Sequence, residues 1–272
     1  MVLVGTPIGN LGDIALRAIE ALRDADAIAC EDTRRVRQLL AAVGVAAGNR
    51  LITVNDHNEA AAARKVLERL DDGATVAVVS DAGMPGISDP GERLVAAAAA
   101  AGYAVTVIPG PSAAVAALVV SGLPTGRFAF EGLLPRKGRA RAERLAAIAG
   151  ERRTTVLFEA PHRVRATAAD LLAVCGPERR VAIARELTKV FETVWRGSLG
   201  EAAEHLSAAE PRGEYVLVVD CAPEPAPPED AAIERALRAA LAQGDDKRSA
   251  VARVAADLGV AKRDVYEVAI RL

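Results

Sequence analysis

The 272-residue sequence is poor in aromatic residues, in cysteine and histidine, and in net charge. Aromatics make up 3% of the chain, so its core has to be built from Ala, Val, Leu and Ile. The three cysteines, Cys30, Cys175 and Cys221, lie far apart with no CxxC pair, and only three histidines accompany them. That argues against a disulfide framework and against a Cys/His zinc site, and makes a reducing cytoplasm the expected location. Thirty-four Lys and Arg against 36 Asp and Glu leave a formal charge of −2, which excludes a uniformly basic nucleic-acid coat. Long apolar runs are missing too: stretches such as Val95–Ala101 fall far short of the ~20 residues a spanning helix needs. MVLVGTPIGNLGD has no basic lead and reaches Gly5 and Pro7 early, so it reads as a buried strand and not a signal peptide. A soluble protein with no membrane partner is expected.

What is present is a strong α/β rhythm. The 51% hydrophobic and 26% charged content belongs to a globular protein with a real core. Short β-branched runs are expected as strands at Val2–Val4, Ala27–Cys30, Leu51–Val54, Thr75–Val79, Ala104–Ile108, Phe128–Glu131, Thr155–Phe158, Val181–Arg185 and Tyr215–Val219. Helical spacing falls at Leu16–Ala25, Glu59–Leu70, Gly91–Ala101, Ala113–Val120, Arg139–Ile148, Val164–Val174 and Leu199–Ala209. Strands apolar on both faces, alternating with helices, predict largely parallel, covered sheets. The rhythm restarts around Pro109–Pro111 and near Pro124, which suggests an N-terminal α/β lobe over residues 1–110 and a second over 111–221. A Pro-rich acidic stretch, APEPAPPED at 222–230, reads as a linker. Beyond it, 231–272 reads as three short helices with a Gly-containing turn at Gly259, either a helix-turn-helix-like unit or a plain helical cap.

Ligand sites in α/β folds gather at the carboxyl ends of strands, and three such loops here are rich in Gly and Pro. GTPIGN, Gly5–Asn10, can bring its backbone close to a ligand, though it also suits an ordinary strand-to-helix turn and matches no phosphate-loop pattern. SDAGMPGISDPG, Ser80–Gly91, is longer than a connector requires. Its freed amides can meet a carboxylate, and Asp81 and Asp89 can hold an ammonium or ribose hydroxyls. PGPSA, Pro109–Ala113, sets Ser112 at a helix N-terminus, as a cap or beside an anion. Polar clusters follow other strands: CEDTRR (30–35), NDHNE (55–59), FEAPHR (158–163) and RELTKVFE (185–192). Asp32, His57 and Glu59 offer no i, i+4 ligand pair and no Cys partner, so no metal is expected. Nine Lys/Arg against three Glu between Arg136 and Arg165 give that segment +6, leaving −8 for the rest, and suggest contact with a phosphate backbone.

Taken in order, LVGTPIGNLGDI, IACEDTR, NDHNE, SDAGMPGISDPG, VIPGPSA, FEAPHR, RELTKVFE and GEYV (213–216) resemble the ribosomal RNA small subunit methyltransferase I family over residues 2–220. Its members are cytidine 2′-O-methyltransferases of the tetrapyrrole (class III) methylase superfamily. The resemblance implies a two-lobed α/β fold with S-adenosylmethionine in the cleft, a homodimer, 16S ribosomal RNA on the small subunit as substrate, and a C-terminal helix-turn-helix-like appendage. Carried over motif by motif, Ser80, Asp81, Ile87, Ser112, Ala113, Glu159 and Leu187 would line the cofactor site. The long loop departs from the Gly-Gly-Asp-Pro form of tetrapyrrole-modifying relatives.

A sulfonium methyl is already electrophilic, so placing the ribose 2′-oxygen in line supplies much of the catalysis. A base that draws off the hydroxyl proton would help; Asp32, His57 and Lys189 are the candidates, and positioning without a base is the alternative. Two competing functions stay open: a tetrapyrrole or precorrin methylase of the same fold, and a noncatalytic RNA-binding protein.

Overall fold

A computed structural model describes residues 1–55, 58–208, 210–224 and 228–272. The chain divides into two compact units, Met1–Ala222 and Pro223–Leu272.

The first half of the larger unit runs β1 (Val2–Val4), α1 (Leu16–Asp24), β2 (Ala27–Cys30), α2 (Thr33–Ala42), β3 (Leu51–Thr53), α3 (Glu59–Asp71), β4 (Val76–Val78), α4 (Glu92–Ala100) and β5 (Thr106–Ile108). The strands form a parallel sheet in the order β3-β2-β4-β1-β5. Because side chains alternate faces along a strand, Ala27, Ala29, Val76 and Val78 pack under α3 and α4. Ile28, Cys30, Ala77 and Val79 point the other way and pack under α1 and α2. Both faces are covered, which is why these strands read as unbroken apolar runs.

After α5 (Ala113–Val120) come β6 (Phe128–Leu133), α6 (Arg139–Gly150), β7 (Thr154–Glu159), α7 (Pro161–Cys175), β8 (Arg180–Arg185), β9 (Thr193–Ser198), α8 (Leu199–Ser207) and β10 (Tyr215–Val219). Their sheet has the order β6-β7-β10-β8-β9. Helices α6, α7 and α8 cover one face through Leu145, Val164, Leu171, Leu199 and Leu206. The other face packs on α5, through Ala114, Ala117 and Leu118, and on Ile8 from the loop after β1.

Two expectations need correction. The second sheet is not largely parallel: only β6 and β7 run together, and β10 is antiparallel to both its neighbours, as β9 is to β8. The cause is the short return from β8 to β9 through residues 186–192, which leaves no room for a crossover helix. One strand and one α-helix were also missing from the sequence reading. Strand β9, TVWRGS, sits at a sheet edge and carries Arg196 and Gly197, so it lacks a β-branched run. Helix α2 opens with two arginines that read as a polar loop, yet Val36 and Leu40 are buried one turn apart. The expected strands are all present, with ends displaced by at most two residues.

The smaller unit holds α9 (Asp230–Ala242), α10 (Lys247–Leu258) and α11 (Lys262–Arg271) around Ile233, Leu237, Val251, Val254, Val265 and Val268. Asp246 caps α10 by accepting the Ser249 N–H at 2.7 Å, and Gly259 at φ +65° ends it, so α10 and α11 are joined by the short turn of a helix-turn-helix pattern. The expected linker at 222–230 lies partly outside the described residues.

One close approach fixes how the loops leave the first sheet. The Gly5 N–H donates to the Ile108 carbonyl at 3.0 Å. A Cβ on Gly5 would lie 2.6 Å from the Gly110 Cα, and one on Gly110 would lie 2.8 Å from Gly5. Backbone meets backbone there, so no side-chain rotation can relieve a methyl. Gly110→Ala is expected to cost about 1–3 kcal/mol, the range for overpacking, read as a lower midpoint in thermal unfolding.

Candidate active site

Strands β4, β1 and β5 are neighbours, so the loops at their carboxyl ends meet. Thr6 and Gly83 exchange backbone hydrogen bonds at 2.9 and 3.2 Å, tying the loop after β1 to the long loop after β4. Ser112 accepts the Val115 N–H and starts α5 beside them. Opposite stand the ends of β6 and β7, the outer part of β8 and the beginning of β10. Between these two sets lies a cavity of about 310 Å³, lined on one side by Ile8, Met84, Ile87, Asp89 and Ser112 and on the other by Phe158, Glu159, Leu187, Glu214 and Tyr215.

The wall is mostly apolar, with three carboxylates. Glu159 has a fully buried side chain, and its charge is answered on every side. One oxygen accepts the Ala160 N–H at 2.9 Å and pairs with Arg163 at 3.2 Å; the other accepts the Thr167 hydroxyl at 2.5 Å. Arg141 extends the network, donating to Thr167 at 2.9 Å and Asp170 at 2.8 Å. Glu214 meets the Lys189 ammonium at 2.9 Å, as does Glu186. The loop carrying them is tight: Glu186 and Thr188 have φ of +52° and +66°, unusual for residues with a Cβ, and the Glu186 side chain lies where a Cβ on Gly213 would be. Asp89 is different. Burial first, then the negative charge of Glu31, push its carboxyl up to about 6 against the pull of the Ser80 hydroxyl.

Of the residues expected at the site, Ile87, Ser112, Ala113, Glu159 and Leu187 line the cavity. Ser80 and Asp81 do not. Ser80 is buried with its hydroxyl turned to the Ala82 and Gly83 carbonyls, and Asp81 accepts the Asp32 N–H at 3.1 Å and pairs with Arg35 at 3.4 Å. Asp32 is the N-cap of α2, accepting the Arg34 N–H and pairing with its guanidinium, whose hydrogen bonds hold the carboxyl far below the usual range. A carboxylate held that acidic is a poor proton acceptor. Burial alone would lower the Lys189 ammonium, but its bonds to Glu186 and Glu214 outweigh that and raise it, so it stays charged. His57 lies outside the described residues. Glu59, weighed as a metal ligand, spends one oxygen on the Gly91 and Arg93 N–H groups. Cys30 is no nucleophile, because burial first and then Asp81 and Asp32 push its thiol up to about 11.

Sequence reasoning missed Ile8, Met84, Phe158, Glu214 and Tyr215 as lining residues. The GEYV run could have pointed to the last pair, since it opens a strand directly after a glycine turn. The basic segment also changes meaning. Arg141 and Arg163 are structural, and Arg139, Arg144, Arg153 and Arg165 pair with Glu143, Glu131, Glu151 and Glu210. Arg136 and Lys137 are the exposed cations of this segment that form no ion pair among the described residues, and they follow Leu133 at the cavity wall.

The family model for Tetrapyrrole (Corrin/Porphyrin) Methylases matches residues 1–203. A Synechocystis protein named ribosomal RNA small subunit methyltransferase I is 43% identical over 99% of this chain and 97% of its own length. A Mycobacterium tuberculosis protein of that name is 50% identical over 80% of this chain and 76% of its own. This chain belongs to the ribosomal RNA small subunit methyltransferase I family. Its fold is also that of the uroporphyrin-III C-methyl transferase of Thermus thermophilus solved with S-adenyl homocysteine, with a TM-score of 0.55 and 22% identity over 80% of this chain and 96% of the other.

As a member of this family the protein is a methyltransferase that uses S-adenosylmethionine. The cavity suits that molecule. Its size falls in the range of small-molecule sites, and its apolar wall matches an adenosine and a thioether chain. A Cβ on Gly83 would already touch Ile8 at 3.4 Å, so the backbone is bare where the cavity needs room. Ala113→Trp, at the first turn of α5, is expected to weaken S-adenosylhomocysteine binding by at least about tenfold, or roughly 1.4 kcal/mol, in titration calorimetry, with the thermal midpoint little changed.

Proposed function

We propose that the protein transfers a methyl group from S-adenosylmethionine to the ribose 2′-hydroxyl of a cytidine in 16S ribosomal RNA, on the small subunit. The observation that carries this reading is the near full-length likeness to proteins named for small-subunit ribosomal RNA methylation, at 43% identity over 99% of the chain for the Synechocystis relative. The tetrapyrrole reading draws on a superfamily-wide family model and on solved structures at 15–24% identity, which establish the fold and not the substrate. S-adenosylmethionine supplies a methyl carbon activated by the positive sulfur, so the chain has to bind, orient and dehydrate the reactants. Ile87, Ser112, Ala113, Glu159 and Leu187 are assigned to holding the cofactor, with Glu159 fixed by Arg163 and Thr167. Ser80 and Asp81 support the loop from beneath.

Arg136 and Lys137 are assigned to the RNA backbone, because they are exposed beside the cavity mouth and unspent on ion pairs within the described chain. A homodimer is supported by exposed apolar surface: Val119 on α5, and Val190 and Phe191 ahead of β9, are 68%, 94% and 70% exposed. A reducing cytoplasm is supported by three cysteines that are all free. No helix among the described residues is long and apolar enough to cross a membrane.

The deciding experiment is incubation with labelled S-adenosylmethionine and small subunits lacking the modification, followed by nuclease mapping. Label on a cytidine ribose is expected; label on a base overturns the reaction, and no label on RNA overturns the substrate. Replacing Arg136 and Lys137 by Ala is expected to weaken RNA binding and to lower the slope of log affinity against log salt by about 2. S-adenosylhomocysteine binding should not change.

A further inference from the structure

Pro223–Leu272 folds around a core of its own, and that core uses only part of each helix. In α11 the buried residues are Val265, Val268 and Ala269. With about 100° between successive residues, Lys262, Arg263, Tyr266 and Ile270 fall together on another side, and all four are exposed. Lys262, Tyr266 and Ile270 follow one another at i, i+4 spacing, so their side chains form a continuous strip. Tyr266 is 54% exposed and Ile270 62%. Asp264 and Glu267 border the strip beyond Arg263, which meets them only loosely, at 3.4 and 3.8 Å.

Cations of this unit divide into spent and unspent. Arg238, Arg253 and Arg271 are held by Glu234, Asp245 and Asp230. Arg235, Lys262 and the pair that opens α10, Lys247 and Arg248, form no ion pair among the described residues. A phenol ring beside free cations on an open helix face is fitted to nucleic acid, where the cations meet phosphates and the ring stacks on a base. A duplex offers no unstacked base, and the deep, narrow major groove of an RNA helix keeps side chains out. A protein groove covering Tyr266 and Ile270 would have to desolvate Lys262 and Arg263 as well, at a cost. The strip therefore matches unpaired nucleotides.

We propose that this strip of α11 binds single-stranded RNA of the small ribosomal subunit, with Tyr266 stacked on an unpaired base, Ile270 packed beside it, and Lys262 and Arg263 on phosphates. This rests on the ribosomal RNA reading of the substrate. The strip is a second RNA contact, in addition to Arg136 and Lys137. Two contacts on one chain raise the affinity for a particle that meets both more than for a fragment that meets one.

The test uses the full chain, as wild type, Tyr266→Ala, Tyr266→Phe and Lys262→Gln. Binding is measured to small subunits lacking the modification, to an unstructured oligocytidylate, and to a duplex RNA of equal length. Tyr266→Ala should weaken binding to the subunits and to the single strand by about 5–100-fold. Tyr266→Phe keeps the ring and should bind as wild type does. Lys262→Gln should lower the slope of log affinity against log salt on the single strand by about 1. Duplex binding, S-adenosylhomocysteine affinity and the thermal midpoint should be the same in Tyr266→Ala as in wild type. Wild-type affinity for the single strand in Tyr266→Ala, a loss shared by Tyr266→Phe, or an equal loss on the duplex would overturn the proposal. So would a lower thermal midpoint or altered sedimentation of Tyr266→Ala, since either puts protein and not RNA on the strip. Tyr266-dependent binding to the single strand, with no methyl transfer to subunits by the wild type, would instead overturn the substrate reading and leave the strip as an RNA contact.

Discussion

The site depends on two backbones that cross with nothing between them. Gly5, leaving β1, and Gly110, leaving β5, approach so closely that neither tolerates a Cβ. With the Thr6–Gly83 bridge, that contact gathers three loops at the carboxyl edge of one sheet. Ile8, carried on the first of them, is then delivered into the core under the second sheet, where it packs with Ala182, Val216 and α5. Cavity wall and interlobe packing therefore share one cause. Had either glycine a side chain, the loops would part and the apolar wall would lose its floor.

Within this frame, chemistry is distributed by environment more than by residue type. Glu159, Glu214 and Asp89 are all carboxylates on one cavity, yet their partners give them separate characters. A guanidinium and a hydroxyl hold the first in place. An ammonium balances the second at the rim. The third is left with burial and like charge, which favour its protonated form. The same logic applies to Asp32 and Lys189, one held by an arginine and the other by two glutamates.

Much of the fold was legible because local patterns were unambiguous. Ala27–Cys30 and Tyr215–Val219 are buried along their whole length, so nothing in those segments competes with the strand pattern. Strand β9 was hidden because an edge strand needs no continuous apolar run, and α2 because its first turn is basic and faces solvent. At the site, the Gly/Pro loops announced themselves, whereas Phe158, Glu214 and Tyr215 reach the cavity only because β10 is inserted between β7 and β8. The basic segment misled for a related reason: charge counted along a chain ignores the pairing that folding makes, and Arg141, Arg144 and Arg165 are answered by acids from other elements while Arg139, Arg153 and Arg163 pair with glutamates close by in the chain.

By itself the sequence determined the α/β class, the places of most strands and helices, the glycine-rich loops and the family, all of which follow from periodicity and from motifs within short windows. The tertiary structure decided the mixed direction of the second sheet, which residues share a cavity, and which carboxylate stays unpaired. Those depend on strand order and on partners as far apart as Glu31 and Asp89 or Arg144 and Glu131, and no local pattern records which distant groups come within a few ångströms of each other.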